Sequence, residues 1–192
     1  MQLNNEWVRV WDPLVRIFHW GLVASVLVAF IAEDDWLPLH VLAGYLVLGL
    51  LAFRLFWGLI GSHHARFWNF VKGPRQTWAY LKDLPRSHPK RYLGHNPAGG
   101  AMVVALLIML LLTSATGLMA YGHAELSGPL ADLMSNQPYW LGEMSEEIHE
   151  MLANLTLLLV LLHVGGVFLA SAQHGENLVR SMLDGLKRKE VS

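Results

Sequence analysis

The sequence predicts an all-α integral membrane protein built as a four-transmembrane-helix bundle, and three observations carry that reading. Only 15% of the 192 residues are charged and 54% are hydrophobic, where a soluble domain carries about 25% charged residues. Four runs, residues 14–32, 37–60, 99–121 and 148–172, are each long and apolar enough to cross a bilayer, which takes roughly 20 residues at the helical rise of about 1.5 Å. The Lys and Arg residues fall entirely on one side of the map those runs define. The chain has no cysteine, which excludes disulfide scaffolds, thiolate metal sites, iron–sulfur clusters and thioether-attached haem.

The first run follows Trp11, Asp12 and Pro13, and proline suits a first helical turn because its missing N–H has no partner there. An internal histidine and the lack of a small-residue cleavage pattern argue against a cleaved signal peptide. The short turn Glu33-Asp34-Asp35-Trp36 makes the first two runs an antiparallel hairpin. The third contains AMVVALLIMLLLTSATGLMA without a charge. A single membrane domain over residues 1–192 follows, with a loop at 61–98, a second at 122–147 and a tail at 173–192.

Lys and Arg near span ends are retained on the cytoplasmic side. Arg9, Arg16, Arg54, the seven between spans two and three, and the four in the tail all fall on one face, which places both termini in the cytoplasm. Glu33, Asp34, Asp35, Glu125, Asp132, Glu143, Glu146, Glu147 and Glu150 fall on the opposite face. Between basic residues, the 61–98 loop carries Phe67, Trp68, Phe70, Trp78 and Tyr80. This suits the headgroup level, with a short interfacial helix after Pro74, better than nucleic-acid binding, so no nucleic-acid partner is expected. Trp20, Trp36, Trp57 and Trp140 read as interfacial anchors.

Ionisable residues inside a bilayer are costly and mark function. Of ten histidines, four lie in or at the edge of spans: His19, His40, His149 and His163. The other six, His63, His64, His88, His95, His123 and His174, read as solvated surface. His149 and His163 are 14 residues apart, close to four turns, hence on nearly one helix face about 21 Å apart along the axis. His19 and His40 differ in depth by about 17 Å, counted from the hairpin turn. Antiparallel packing would pair His19 with His163 near the cytoplasm and His40 with His149 near the other face. Facing imidazole pairs suit bis-His haem ligation, and two non-covalent b-type haems account for both levels. A structural zinc site wants four ligands at one level, and each level offers two.

Small residues stand beside these ligands: Gly44 one turn after His40, Gly165 and Gly166 after His163, and Gly117 near the outer end of the third span. They would let a macrocycle approach the backbone, or let helices pack closely. Arg16 and Arg54 are candidates to pair with haem propionates at the cytoplasmic level; for Arg54 the competing reading is snorkelling to headgroups. No catalytic residue stands out.

RIFHW at 16–20, LHVLAGYLVLGLLAFRLFWGLIG at 39–61, the His149 and His163 pair, and HGENLVRSMLDGLKRK at 174–189 resemble the bacterial cytochrome b561 and nickel-hydrogenase b-type cytochrome family over nearly the whole chain. The resemblance implies a four-helix, dihaem cytochrome b of the inner membrane, ligated at the positions of His19, His40, His149 and His163. It also implies electron transfer between the quinone pool and a periplasmic partner; the sequence locates no quinone pocket, and space near the inner haem, between the first spans and the 61–98 loop, is a candidate for the quinone substrate. The short hairpin turn leans toward relatives that accompany periplasmic c-type cytochromes or dehydrogenases. Whether the chain is itself a quinol/quinone oxidoreductase stays open, as does its oligomeric state, a homodimer included. Two alternatives compete: a superoxide:quinone oxidoreductase, disfavoured because the outer loops offer an anion no Lys or Arg, and a haem-free histidine-relay transporter.

Overall fold

A computed structural model describes residues 7–33, 36–84 and 90–189 of the chain; Asp34, Asp35, Arg86 and His88 lie outside the described residues. In chain order the elements are β1 (Trp7–Arg9), α1 (Pro13–Ile31), α2 (Leu37–Ile60), α3 (Phe67–Phe70), α4 (Pro74–Asp83), α5 (Pro97–Ala124), α6 (Ala131–Met134), α7 (Tyr139–His174), α8 (Leu178–Asp184) and β2 (Leu186–Arg188). Among the described residues four helices, α1, α2, α5 and α7, are long and apolar enough to cross a membrane, with mean hydropathies of 2.0, 1.9, 2.4 and 2.2 over their best windows. Large apolar side chains stay exposed along them, among them Ile17, Ile31, Leu161 and Phe168 at 62–81%. Such a surface suits lipid rather than water.

The fourth helix differs from expectation, since it begins at Tyr139 rather than near 148. Glu, Met and Leu are good helix formers, so the acidic stretch after Pro138 continues the apolar helix beyond its hydrophobic run, and the connection before it shortens to 125–138. A helix does follow Pro74, which occupies its first turn.

The chain divides into two compact units. One comprises Met1–Gly21, Ala52–Val104 and Leu161–Ser192; the other comprises Leu22–Leu51 and Ala105–Val160. All 14 Lys and Arg fall in the first, here the basic unit, and nine of the 15 Asp and Glu in the second, the acidic unit.

In the basic unit β1 pairs antiparallel with β2, Val8 opposite Lys187. Asp12 caps α1 by accepting from the Val15 N–H at 3.0 Å, and also accepts from Ser62 Oγ at 2.5 Å and Trp57 Nε1 at 3.3 Å. The start of α1 is thereby tied to the end of α2. Asn177 caps α8, and Gly185, at φ 83°, ends it in the left-handed conformation that glycine adopts without a Cβ penalty. Val10, Trp11, Val15 and Ala65 form the core, joined by Trp57, Leu93 and Met182. Glu176 receives both Arg91 and Lys187, the latter at 2.9 Å, while Arg91 also donates to the Lys189 and Arg188 carbonyls. This clasp holds the tail strand against the 90–95 segment. The acidic unit packs around Val47, Leu51 and Leu110, with Leu22, Val26 and Leu107 against them.

Candidate functional site

In the acidic unit α2 presents His40 and α7 presents His149, their ring centres 6.0 Å apart and their planes at 79°. His40 Nδ1 donates to the Ala29 carbonyl at 2.9 Å, and His149 Nδ1 donates to the Thr113 carbonyl at 2.8 Å. A carbonyl only accepts, so each ring carries its proton on Nδ1 and leaves Nε2 as a lone-pair donor. Both rings line a cavity of roughly 360 Å³, walled by apolar residues such as Val26, Phe30, Leu110 and Leu118, together with Gly44 and Gly117. A Cβ on Gly44 would meet nothing within 4 Å, whereas one on Gly117 would lie 2.7 Å from His149 Cε1. Gly117 therefore makes room for the His149 ring itself, a tighter role than backbone approach by a ligand. Thr113 and Thr156, whose hydroxyls are 3.5 Å apart and bond back to their own helices, flank the pair.

The basic unit holds His19 on α1 and His163 on α7. The buried Nδ1 of His19 has no hydrogen-bond partner among the described residues, and its ring packs edge-on against Trp20 at 5.1 Å. Arg54 is 3% exposed. Its guanidinium lies 4.6 Å from the Phe67 ring centre, and Phe67 in turn rests on the bare backbone of Gly58. One Arg54 amine donates to the Ala65 carbonyl at 3.0 Å; the other, Nη1, is buried without a partner among the described residues. Snorkelling needs a solvated head group, and Arg54 has none. Arg16 donates through Nη1 to the Leu183 carbonyl, while its Nε is buried and unpartnered. Gly165 and Gly166 meet nothing within 4 Å.

A profile of the prokaryotic cytochrome b561 family matches residues 10–185. The chain belongs to that family. Relatives include the probable Ni/Fe-hydrogenase B-type cytochrome subunit of Azotobacter chroococcum mcd 1, 28% identical over 74% of this chain and 71% of its own. Its Azotobacter vinelandii counterpart is 28% identical with the same coverage, and that of Bradyrhizobium diazoefficiens is 22% identical over 93% and 85%. No solved structure matches. This b561-family protein is thus a multi-pass membrane b-type cytochrome that transfers electrons on haem, which sets aside the haem-free transporter.

The residues present fit that group. Ligating imidazoles characteristically donate their second ring N–H to a carbonyl or carboxylate, as His40 and His149 do. A metal–imidazole bond is about 2 Å, so rings centred 6.0 Å apart admit one ion between them. Among the described residues no group of three or more His, Asp or Glu converges on a metal-sized point, which leaves zinc without its usual set.

Two histidines read as solvated surface are packed instead. The ring of His95 lies 4.7 Å from Trp11 and 4.5 Å from Phe70, its Nδ1 is buried without a partner, and burial followed by the Arg54 charge pushes it down to about 3. His95 stands just ahead of α5 in a polar stretch, so no hydropathy pattern marks it; Trp11 and Phe70 are brought there only by folding. His123 lies so close to Gly142 that a Cβ there would overlap its ring at 2.1 Å. Two tryptophans also do more than anchor, since Trp57 donates to Asp12 and Trp20 to the Met182 carbonyl at 3.2 Å.

Proposed function

We propose that this b561-family cytochrome holds two b-type haems, one between His40 and His149 and one between His19 and His163, and carries electrons across the bacterial inner membrane between the quinone pool and a periplasmic redox protein. The observation that carries this is the His40–His149 pair, two imidazoles with ring centres 6.0 Å apart that line one largely apolar cavity, with both Nδ1 protons already committed to backbone carbonyls. Bound haem supplies a one-electron ferric/ferrous couple. The protein's part would be to hold the group through the Nε2 atoms of these histidines and to exclude water, so that ligation and burial would set the potential.

In the basic unit the unpartnered nitrogens of Arg54 and Arg16 are suited to haem propionates, because a buried guanidinium wants a carboxylate. Both termini belong on the cytoplasmic side by the placement of Lys and Arg. Quinone belongs near the His19–His163 site, against the 61–98 connection. The curated relatives are named as hydrogenase subunits, which favours a Ni/Fe hydrogenase as the partner over a c-type cytochrome. Carboxylates on the facing surface would steer a partner bearing a basic patch.

The test is haem stoichiometry. Purified protein is expected to bind two haems b per chain, His149→Ala and His40→Ala each to lose the same one, and His19→Ala and His163→Ala the other. Full haem retention in the His40 and His149 variants would sink the pairing.

A further inference from the structure

Among the described residues, the cavity around His40 and His149 is lined by three carboxylates, Glu33, Glu125 and Glu146, and by no cationic side chain. Its whole unit is built from stretches without one Lys or Arg. In the basic unit the surroundings reverse: Arg54 is buried without an ion pair among the described residues, and Arg16 has a buried, unpartnered nitrogen. Ferric haem carries one more positive charge than ferrous haem. Nearby anions therefore favour the oxidised form and nearby cations the reduced form, most strongly where little water intervenes.

We propose that Glu33, Glu125 and Glu146 are potential-setting residues, holding the haem of the His40–His149 site at a lower reduction potential than the haem of the His19–His163 site. The first site would then be the entry point for electrons from a periplasmic redox protein and the second the exit toward quinone, whose reduction to quinol takes two such electrons and two protons. The charge map built into the chain thus gives the electron path its direction. This rests on the two-haem reading above, and the experiment separates the two.

Full-length, haem-loaded protein in detergent at low salt is titrated spectroelectrochemically on the haem α band. Two one-electron waves are expected, and the lower one should vanish in His149→Ala, or in His40→Ala should that variant fold better. In the triple variant Glu33→Gln, Glu125→Gln, Glu146→Gln, the lower wave should move up, with the ratio of reduced to oxidised haem at a fixed potential rising about tenfold, or 59 mV for one electron. The shift should shrink as salt screens these exposed carboxylates. Glu147→Gln with Glu150→Gln, two charges on the same helix that do not line the cavity, should move it less. The proposal is overturned if the triple variant leaves that wave in place, or if the wave lost with His149 is the higher of the two. A wild-type protein with a single haem defeats the two-haem reading; the carboxylate assignment then still stands if that haem is lost in His149→Ala and shifts upward in the triple variant, and fails otherwise.

Discussion

A methyl group added to Gly117 would fall 2.7 Å from the His149 ring, nearer than carbon atoms approach one another. Gly117→Ala should therefore push His149 off the Thr113 carbonyl and lower the protein's haem content, read as haem per chain; unchanged haem content would show the ring is free to move. Gly44→Ala meets nothing and should leave the fold intact. Arg54 illustrates a different logic, because its cation rests on Phe67 and donates to Ala65 while one nitrogen stays unpaired. Arg54→Met keeps the stem and loses those contacts, about 2 kcal/mol of stability. Arg54→Lys should not restore it, since an ammonium cannot stack flat on a ring while donating sideways; thermal melts of the three proteins decide this.

At the scale of elements, the clasp of Glu176 with Arg91 and Lys187 holds β2 to its neighbours. Burial raises the Glu176 carboxyl, but hydrogen bonds and charge from Lys187 and Arg91 outweigh it and hold it below its ordinary 4.5. Asp12 behaves alike: burial raises it, and the bonds from Ser62, Val15 and Trp57 bring it below 3.8. A carboxyl depressed by folding contributes stability that is complete above its unfolded value and is lost as pH falls through its folded one. The tail should accordingly stay protected from proteolysis at neutral pH and become cleavable only once pH falls below the ordinary Glu value of 4.5. Glu176→Gln should expose it already at pH 7, because removing one member leaves Lys187 buried and uncompensated, a loss of about 3 kcal/mol. Equal protease resistance in wild type and variant at pH 7 would show that the strand pairing of β1 with β2 suffices alone.

For the whole molecule, charge is sorted rather than balanced. A net charge of −1 conceals one unit holding all 14 cations and another holding nine carboxylates and no cation. Reduction of the haem by a basic donor protein should be fast at low ionic strength and slow severalfold as salt shortens the Debye length to about 8 Å near 0.15 M. Reduction by an anionic donor should respond in the opposite sense, and a stopped-flow salt series compares the two.

The four-helix membrane architecture was legible in the sequence because a bilayer imposes it through length and hydropathy, which are local properties. The four span histidines were legible for the same reason, an imidazole among leucines being conspicuous. What folding alone decided is contact between residues far apart in the chain. His95 reads as polar loop until Trp11 and Phe70 close on it, and Arg54 reads as a headgroup anchor until Phe67 and the Ala65 carbonyl enclose it. Gly117 gains its meaning only when α7 brings the His149 ring against it, and the acidic stretch after Pro138 is helix because α7 continues past the apolar run. Hydrophobic burial and charge partitioning act residue by residue and can be read in order along the chain. Ring stacking, hydrogen-bond pairing and steric room depend on which segments meet, and that is a property of the tertiary structure.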